Sequence, residues 1–143
     1  MSRTFSVLVV LLSGCPGGDD SGSDDTAAGS DEVAVCEPDH NDGYTLNNLA
    51  VTGDVLEISV SYGGGCETHG FQLCWDGAFM ESNPVQAALA LGHDANDDAC
   101  DAYLTETLSF GLEPLKQAWI DGYGGSTGTI IIDLGSESVE YVF

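Results

Sequence analysis

Basic residues are almost absent from this sequence. Of 143 residues only Arg3 and Lys116 are basic, against 24 Asp and Glu. A chain charged in this way repels phosphate backbones and anionic headgroups, which excludes nucleic acid as a partner. Local patterns of catalysis are missing as well. The G-x-S-x-G spacing at Gly124-Gly125-Ser126-Thr127-Gly128 lacks the following helix of a nucleophile elbow, and there is no H-E-x-x-H and no pair of acids in an apolar frame. The glycine-rich run 122–128 lacks the lysine and the following helix of a phosphate loop. The sequence thus nominates no catalytic residue, and we read the chain as a non-enzyme. Long apolar runs are also lacking: residues 5–12 are too few to cross a bilayer as a permanent helix, and nothing after residue 15 is longer.

What the N-terminus does have is a leader pattern. Arg3 supplies a short basic region, residues 5–12 an apolar one, and Leu12-Ser13-Gly14-Cys15 follows. That tetrad resembles a bacterial lipobox, which implies cleavage before Cys15 and a lipid on its thiol. The alternative is an ordinary secretory leader with a coincidental cysteine. Residues 15–33 are Gly, Ser and Asp with little else, a composition that cannot bury enough apolar surface to fold and whose like charges extend it. The expected organisation is a signal peptide over 1–14, an acidic tether over 15–33 and one domain over 34–143. The expected location is the cell envelope, with the lipid in a bacterial membrane, expected to be the outer one, and the domain extracytoplasmic. Since every acid lies after Cys15 and Lys116 is the only base there, the mature chain carries about 23 negative charges. Solubility in a saline habitat explains this; bound divalent cations are the sharper explanation.

From Thr45 onward the hydrophobic period is two. Leu46, Leu49 and Val51 precede a Thr52-Gly53-Asp54 turn, after which Leu56, Ile58, Val60 and Tyr62 fall on one face. Gly63-Gly64-Gly65 then interrupts the ladder. Further strands are expected over 69–75, 86–93, 103–110, 129–134 and 139–143, with a proline-initiated helix over 113–120. Seven short strands at regular spacing and one short helix predict an all-β fold, an antiparallel β-sandwich of immunoglobulin-like character, with a barrel as the alternative.

With Cys15 set aside, Cys36, Cys66, Cys74 and Cys100 remain, an even number in an exported domain. Cys66 and Cys74 flank a single strand, so they cannot bond to each other without folding it back. If strands 69–75 and 86–93 pair with Asp76 opposite Gln86, His69 falls opposite His93, and Cys66 and Cys100 project beyond the same end. This favours Cys66–Cys100 with Cys36–Cys74. The same convergence supplies four ligands for zinc, Cys66, His69, His93 and Cys100, so zinc is the rival to the disulfide. Asp94, Asn96 and Asp98 form a D-x-N-x-D run whose spacing suits calcium, but Ala99 and Thr105 stand where an EF-hand needs glycine and glutamate. A looser calcium loop is the alternative to an ordinary Asp/Asn turn. The cofactor expectation is none, with zinc or calcium as the alternative. A protein or small-molecule ligand goes unnamed by the sequence.

The segments Gly64-Gly65-Cys66-Glu67-Thr68-His69-Gly70-Phe71-Gln72-Leu73, Phe79-Met80-Glu81-Ser82-Asn83-Pro84-Val85-Gln86, His93-Asp94 through Cys100, and Phe110-Gly111-Leu112-Glu113-Pro114-Leu115-Lys116 are similar to a group of uncharacterised bacterial lipoproteins, many of them from myxobacteria-like and other Gram-negative sources. The resemblance spans residues 54–143, and its most specific elements are G-G-C-x-x-H and H-D-x-x-x-D-x-C. It implies an extracytoplasmic β domain with no established activity, in which the counterparts of Cys66 and Cys100 recur while Cys36 and Cys74 are additions.

Overall fold

The computed structural model describes residues 31–143; the expected leader, the lipidation site Cys15 and residues 15–30 of the expected tether lie outside the described residues. Nine strands and one helix follow in the order β1 (Asp31–Glu32), β2 (Ala34–Val35), β3 (Thr45–Thr52), β4 (Val55–Gly64), β5 (Gly70–Trp75), β6 (Val85–Asp94), β7 (Ala102–Gly111), α1 (Glu113–Tyr123), β8 (Thr129–Asp133) and β9 (Ser138–Val142). They build a sandwich of two sheets, ordered β1-β7-β4-β3 and β2-β5-β6-β8-β9.

The period-two pattern places the core. On β4 the alternate residues Leu56, Ile58, Val60 and Tyr62 are all buried and face Leu73, Trp75, Ala87, Leu89 and Leu91 of the opposite sheet. Ile130 and Ile132 of β8 and Tyr141 of β9 extend the same layer. The outer face of β4 is polar but not idle. Ser61, only 4% exposed, accepts a hydrogen bond from Asn47 Nδ2 at 2.8 Å and shares another with the Thr105 hydroxyl at 2.8 Å, so its burial is compensated.

The connectivity departs from a purely antiparallel reading in three places. The chain leaves β6, passes through β7 in the other sheet and through α1, and returns to lay β8 parallel to β6, with Val85 facing Ile130. A crossover of this length permits a parallel pair, whereas adjacent strands in a hairpin do not. The other two parallel pairs lie in the first described residues. Asp31–Glu32 pairs with β7, Ala34–Val35 pairs with β5, and Val33 between them is buried. Residues 31–33, expected as the end of the tether, therefore belong to the sandwich. Two-residue strands have too little pattern to announce themselves in a sequence.

The register of β5 on β6 also differs from expectation. Phe71, not His69, faces His93, and the ladder begins with Gly70 opposite Asp94. The slip is two residues, and since side chains alternate with period two, His69, Phe71 and His93 still project from the same face. His69 precedes the strand, and its ring meets that of His93 with centroids 5.0 Å apart.

Both disulfides staple neighbouring elements. Cys36–Cys74 ties the end of β2 to β5, with a Cα separation of 5.0 Å. Cys66–Cys100 follows from a register that the sequence reading did not use: Gly64 faces Ala102 in the β4–β7 ladder, so Cys66 and Cys100 stand opposite each other two residues further on, Cα atoms 5.8 Å apart. Helix α1 carries Pro114 in its first turn, buries Leu115 and runs three residues beyond the expected end, closing where Gly124 at φ 74° donates its N–H to the Ile120 carbonyl. Its Lys116 donates to Asp54 at 3.0 Å, and Asp54 also accepts from the Tyr141 hydroxyl at 2.6 Å, which pins the helix to the β3–β4 turn. Those two hydrogen bonds hold the Asp54 carboxyl below the usual carboxylate range.

Two outcomes follow for stability. Ile58→Ala, at a fully buried position, is expected to lower the unfolding free energy by about 2–5 kcal/mol in urea titrations; a loss below about 1 kcal/mol would mean that the two sheets are not packed as described. Peptide mapping without reductant is expected to recover Cys36 linked to Cys74 and Cys66 linked to Cys100, and removing either bond should cost about 2–5 kcal/mol.

Candidate functional site

The residues singled out by their chemistry converge at one end of the sandwich, where β4 runs out into Gly64-Gly65-Cys66-Glu67 and β6 into the 94–100 loop. Asp98 lies at the centre. Its Oδ2 accepts backbone N–H groups from Gly65 at 2.8 Å, Cys66 at 3.0 Å and Glu67 at 2.9 Å, and its Oδ1 accepts the N–H of Cys100 at 2.9 Å. Three successive amides can aim at one oxygen only if the backbone curls into a concave nest. Gly64 and Gly65, at φ 152° and 115°, provide that curl. Gly64 is required twice over, since a Cβ there would stand 2.5 Å from His69 Nε2 and 2.7 Å from Asp98 Oδ2. The amides, first that of Glu67 and then that of Cys100, hold the Asp98 carboxyl far below the usual carboxylate range despite its desolvation.

From Asp98 a chain of hydrogen bonds runs inward. His69 Nε2 lies 3.2 Å from Asp98 Oδ2, His69 Nδ1 lies 2.7 Å from His93 Nε2, and His93 Nδ1 lies 3.3 and 3.2 Å from the carbonyls of Asp42 and Gly43. Both ends of this chain are acceptors, so a ring N–H must point at each. The facing nitrogens of the two rings share the hydrogen bond between them. Apolar rings enclose the pair. Tyr62 stacks on His69 with centroids 4.5 Å apart, and Phe71 lies parallel to His93 at 4.6 Å. The Tyr62 hydroxyl donates to Glu106 at 2.6 Å, and burial together with that carboxylate pushes its pKa up to about 12.

This geometry corrects the metal expectations. The Cys66 and Cys100 sulfurs are bonded to each other, so they offer no thiolate, and the four-ligand zinc arrangement with His69 and His93 does not form. The two histidines meet directly, with their facing nitrogens shared in one hydrogen bond. The D-x-N-x-D run does not converge on a cation either. Asp94 Oδ1 accepts the N–H of Asn96 at 2.9 Å as an Asx turn, Asn96 Nδ2 donates to the Thr68 carbonyl, and Asp98 points inward to the nest. Asn96 and Asp97 take left-handed conformations, φ 50° and 55°, as such a turn demands. The ring nitrogens of His69 and His93 are all engaged within the fold, and their side chains are shielded from solvent, so neither is placed to exchange a proton with a substrate.

Outside the buried chain, His40, Asp42, Asp94, Asn96 and Asp97 line an open polar cleft of about 370 Å³, with His40 Nε2 3.5 Å from Asp94 Oδ2. Asp42 reaches across it to accept the N–H of Ala95 at 2.7 Å. Sequence reading missed the Asp98 nest and the Tyr62–Glu106 pair. The signal for the first was present in the triple glycine immediately before Cys66, since three glycines in a row leave the backbone free to wrap an anion. The second pair spans 44 residues and has no local signature.

The ionised form of Asp98 is the one the fold binds, so its contribution is full above the unfolded aspartate value near pH 4 and fades as pH falls toward the depressed native value. Asp98→Asn is therefore expected to be less stable than wild type at pH 7, with the gap narrowing below about pH 4 in thermal melts. An undiminished gap at about pH 2.5 would contradict this assignment.

No protein-family model matches the chain, and no curated protein matches it. Among solved structures it is similar to an NigD-like immunity protein from Bacteroides caccae, with a TM-score of 0.50 and 20% identity over 71% of this chain and 50% of that one. It is also similar to a candidate lipoprotein from Bacteroides fragilis, with a TM-score of 0.51 and 11% identity over 80% of this chain and 67% of that one. This chain thus spans half the length of the immunity protein, and at these identities the likeness is one of fold: a small two-sheet β domain.

Proposed function

We propose that the protein is a lipid-anchored module of the bacterial cell envelope, held to a membrane through Cys15 and presenting a disulfide-stapled β-sandwich on the extracytoplasmic side for binding or structural duty. The observation that carries this reading is the cysteine partition. All four cysteines of the described domain are paired, and bonds of this kind persist in oxidising compartments and are rare in the cytosol. Cys15 is left over at the position where the leader pattern calls for a lipid. Among the described residues no helix is long and apolar enough to cross a membrane. The likeness to a candidate lipoprotein accords with this anchor.

Charge narrows the partner. A mature chain with 24 acids and one base favours cationic or neutral ligands and lifts the domain away from anionic headgroups. The outer membrane is the proposed site of the anchor. A single acyl chain holds a protein only marginally, whereas the diacyl modification implied by the lipobox holds it stably.

Cys15→Ser is expected to move the protein from the membrane fraction to the soluble fraction in its native host and to abolish incorporation of labelled palmitate. Membrane association that survives the substitution would refute the anchor.

A further inference from the structure

A second cluster of unusual side chains lies away from the buried histidines, where helix α1 faces the loop between β5 and β6. Trp119 and Tyr123 are one turn apart on the helix and project from the same side. Across from them the isolated bridge between Met80 and Gln86 closes a short loop that carries Glu81, Ser82, Asn83 and Pro84. Between helix and loop is a cleft of about 410 Å³, lined by Glu81, Ser82, Asn83, Trp119, Tyr123 and Thr129 among others.

The rings in this cleft are held in place. Trp119 lies so close over Gly128 that a Cβ there would stand 2.7 Å from the indole, and its other contacts are an edge-to-face meeting with Phe143 at 5.5 Å and a tilted one with Tyr123 at 5.5 Å. Tyr123 packs at 6.1 Å on Phe79, which in turn packs on the buried Trp75 at 4.9 Å. Despite this support Tyr123 is 42% exposed, one of the few large hydrophobic side chains that the domain leaves in solvent. Its hydroxyl donates to Glu81 Oε1 at 2.9 Å, which positions the carboxylate beside the rings. No base competes for that carboxylate. Lys116, the only Lys or Arg among the described residues, is engaged by Asp54 and Glu113.

Rigid, partly exposed aromatic rings beside an anchored carboxylate, on a strongly acidic protein, form a receptor for positive charge. Ring faces attract a cation through their quadrupole, and the attraction grows where the cation is partly desolvated. The preorganised rings and the tethered Glu81 spare most of the ordering entropy that binding otherwise consumes. We propose that this cleft binds an organic cation, a guanidinium or an alkylammonium group seated against Tyr123 and Trp119, with Glu81 as its counter-ion. The charge has two sources: an Arg or Lys side chain presented by a protein partner, or a free quaternary amine. The site is independent of the anchor, so failure of either proposal leaves the other standing.

The test uses the full domain and two probes, N-acetylarginine amide and choline chloride, against sodium chloride at matched ionic strength. The tryptophan indole and Tyr123 resonances are followed by NMR. Saturable shifts of the Trp119 indole signal are expected with a Kd on the order of 1 mM, as befits ligands of so few atoms. Glu81→Gln is expected to weaken binding about tenfold and Tyr123→Ala to abolish it, and both positions are exposed enough to change without loss of the fold, which circular dichroism checks. Response to both probes marks a general organic-cation site. Response to the arginine probe alone marks a receptor for a partner's side chain. The proposal is overturned if neither cation gives saturable shifts up to about 100 mM, or if Glu81→Gln binds as well as wild type.

Discussion

The far end of the sandwich depends on one carboxylate. Asp98 accepts four backbone N–H groups and faces one imidazole, and through them it joins the end of β4, the start of β5, the end of β6 and the approach to β7. Those four segments have few apolar residues among them, so burial cannot fix their positions. A buried charge can, because it is costly wherever it lacks partners and tolerable only in the one arrangement that supplies them all. The Cys66–Cys100 bond lies over the same junction and adds covalent closure to a geometry that the carboxylate defines. His69 and His93 then carry the chain of hydrogen bonds inward to the carbonyls of Asp42 and Gly43, which brings the first long loop into the same network.

How much of this was legible in the sequence depends on the range of the interaction that determines it. The alternation Leu56, Ile58, Val60, Tyr62 places a strand and its buried face by local stereochemistry, and the two-sheet sandwich follows from repeating that pattern. The convergence of His69 and His93 was also readable, because a two-residue slip in register preserves the facing side. Opaque to the sequence were the parallel pairing of β6 with β8 and the strands at Asp31–Glu32 and Ala34–Val35, which are set by a crossover and by an edge offering unpaired backbone groups. The D-x-N-x-D spacing suggested ligands because alternate oxygens there can face one cation. In the fold Asp94 Oδ1 and Asp98 Oδ1 each accept the amide two residues on, which closes a turn instead.

The two ends of the domain differ in kind. One is polar inside and sealed, with its histidines used up in holding the chain together. The other is aromatic and partly open, with Trp119 and Tyr123 braced by Gly128, Phe143 and Phe79. A histidine cluster draws attention in a sequence, yet its complete set of partners makes it a poor candidate for contact with anything outside. The aromatic end draws less attention because its members are spread from Phe79 to Phe143 and assemble only when α1 packs against the sheet.

The passage of residues 31–36 between the sheets has a mechanical meaning. The chain enters along the edge of one sheet, crosses with Val33 buried, and runs along the edge of the other until Cys36 is bonded to Cys74. A pull from the N-terminal side would strip the two short strands first, and extension would then stop at a covalent bond near the end of β5. Everything beyond that stop, both sheets and the helix with its cleft, would feel the load through β5 and not through its own N-terminal edge, so tension from the N-terminal side can release the five residues Asp31–Val35 while the body of the domain keeps its shape.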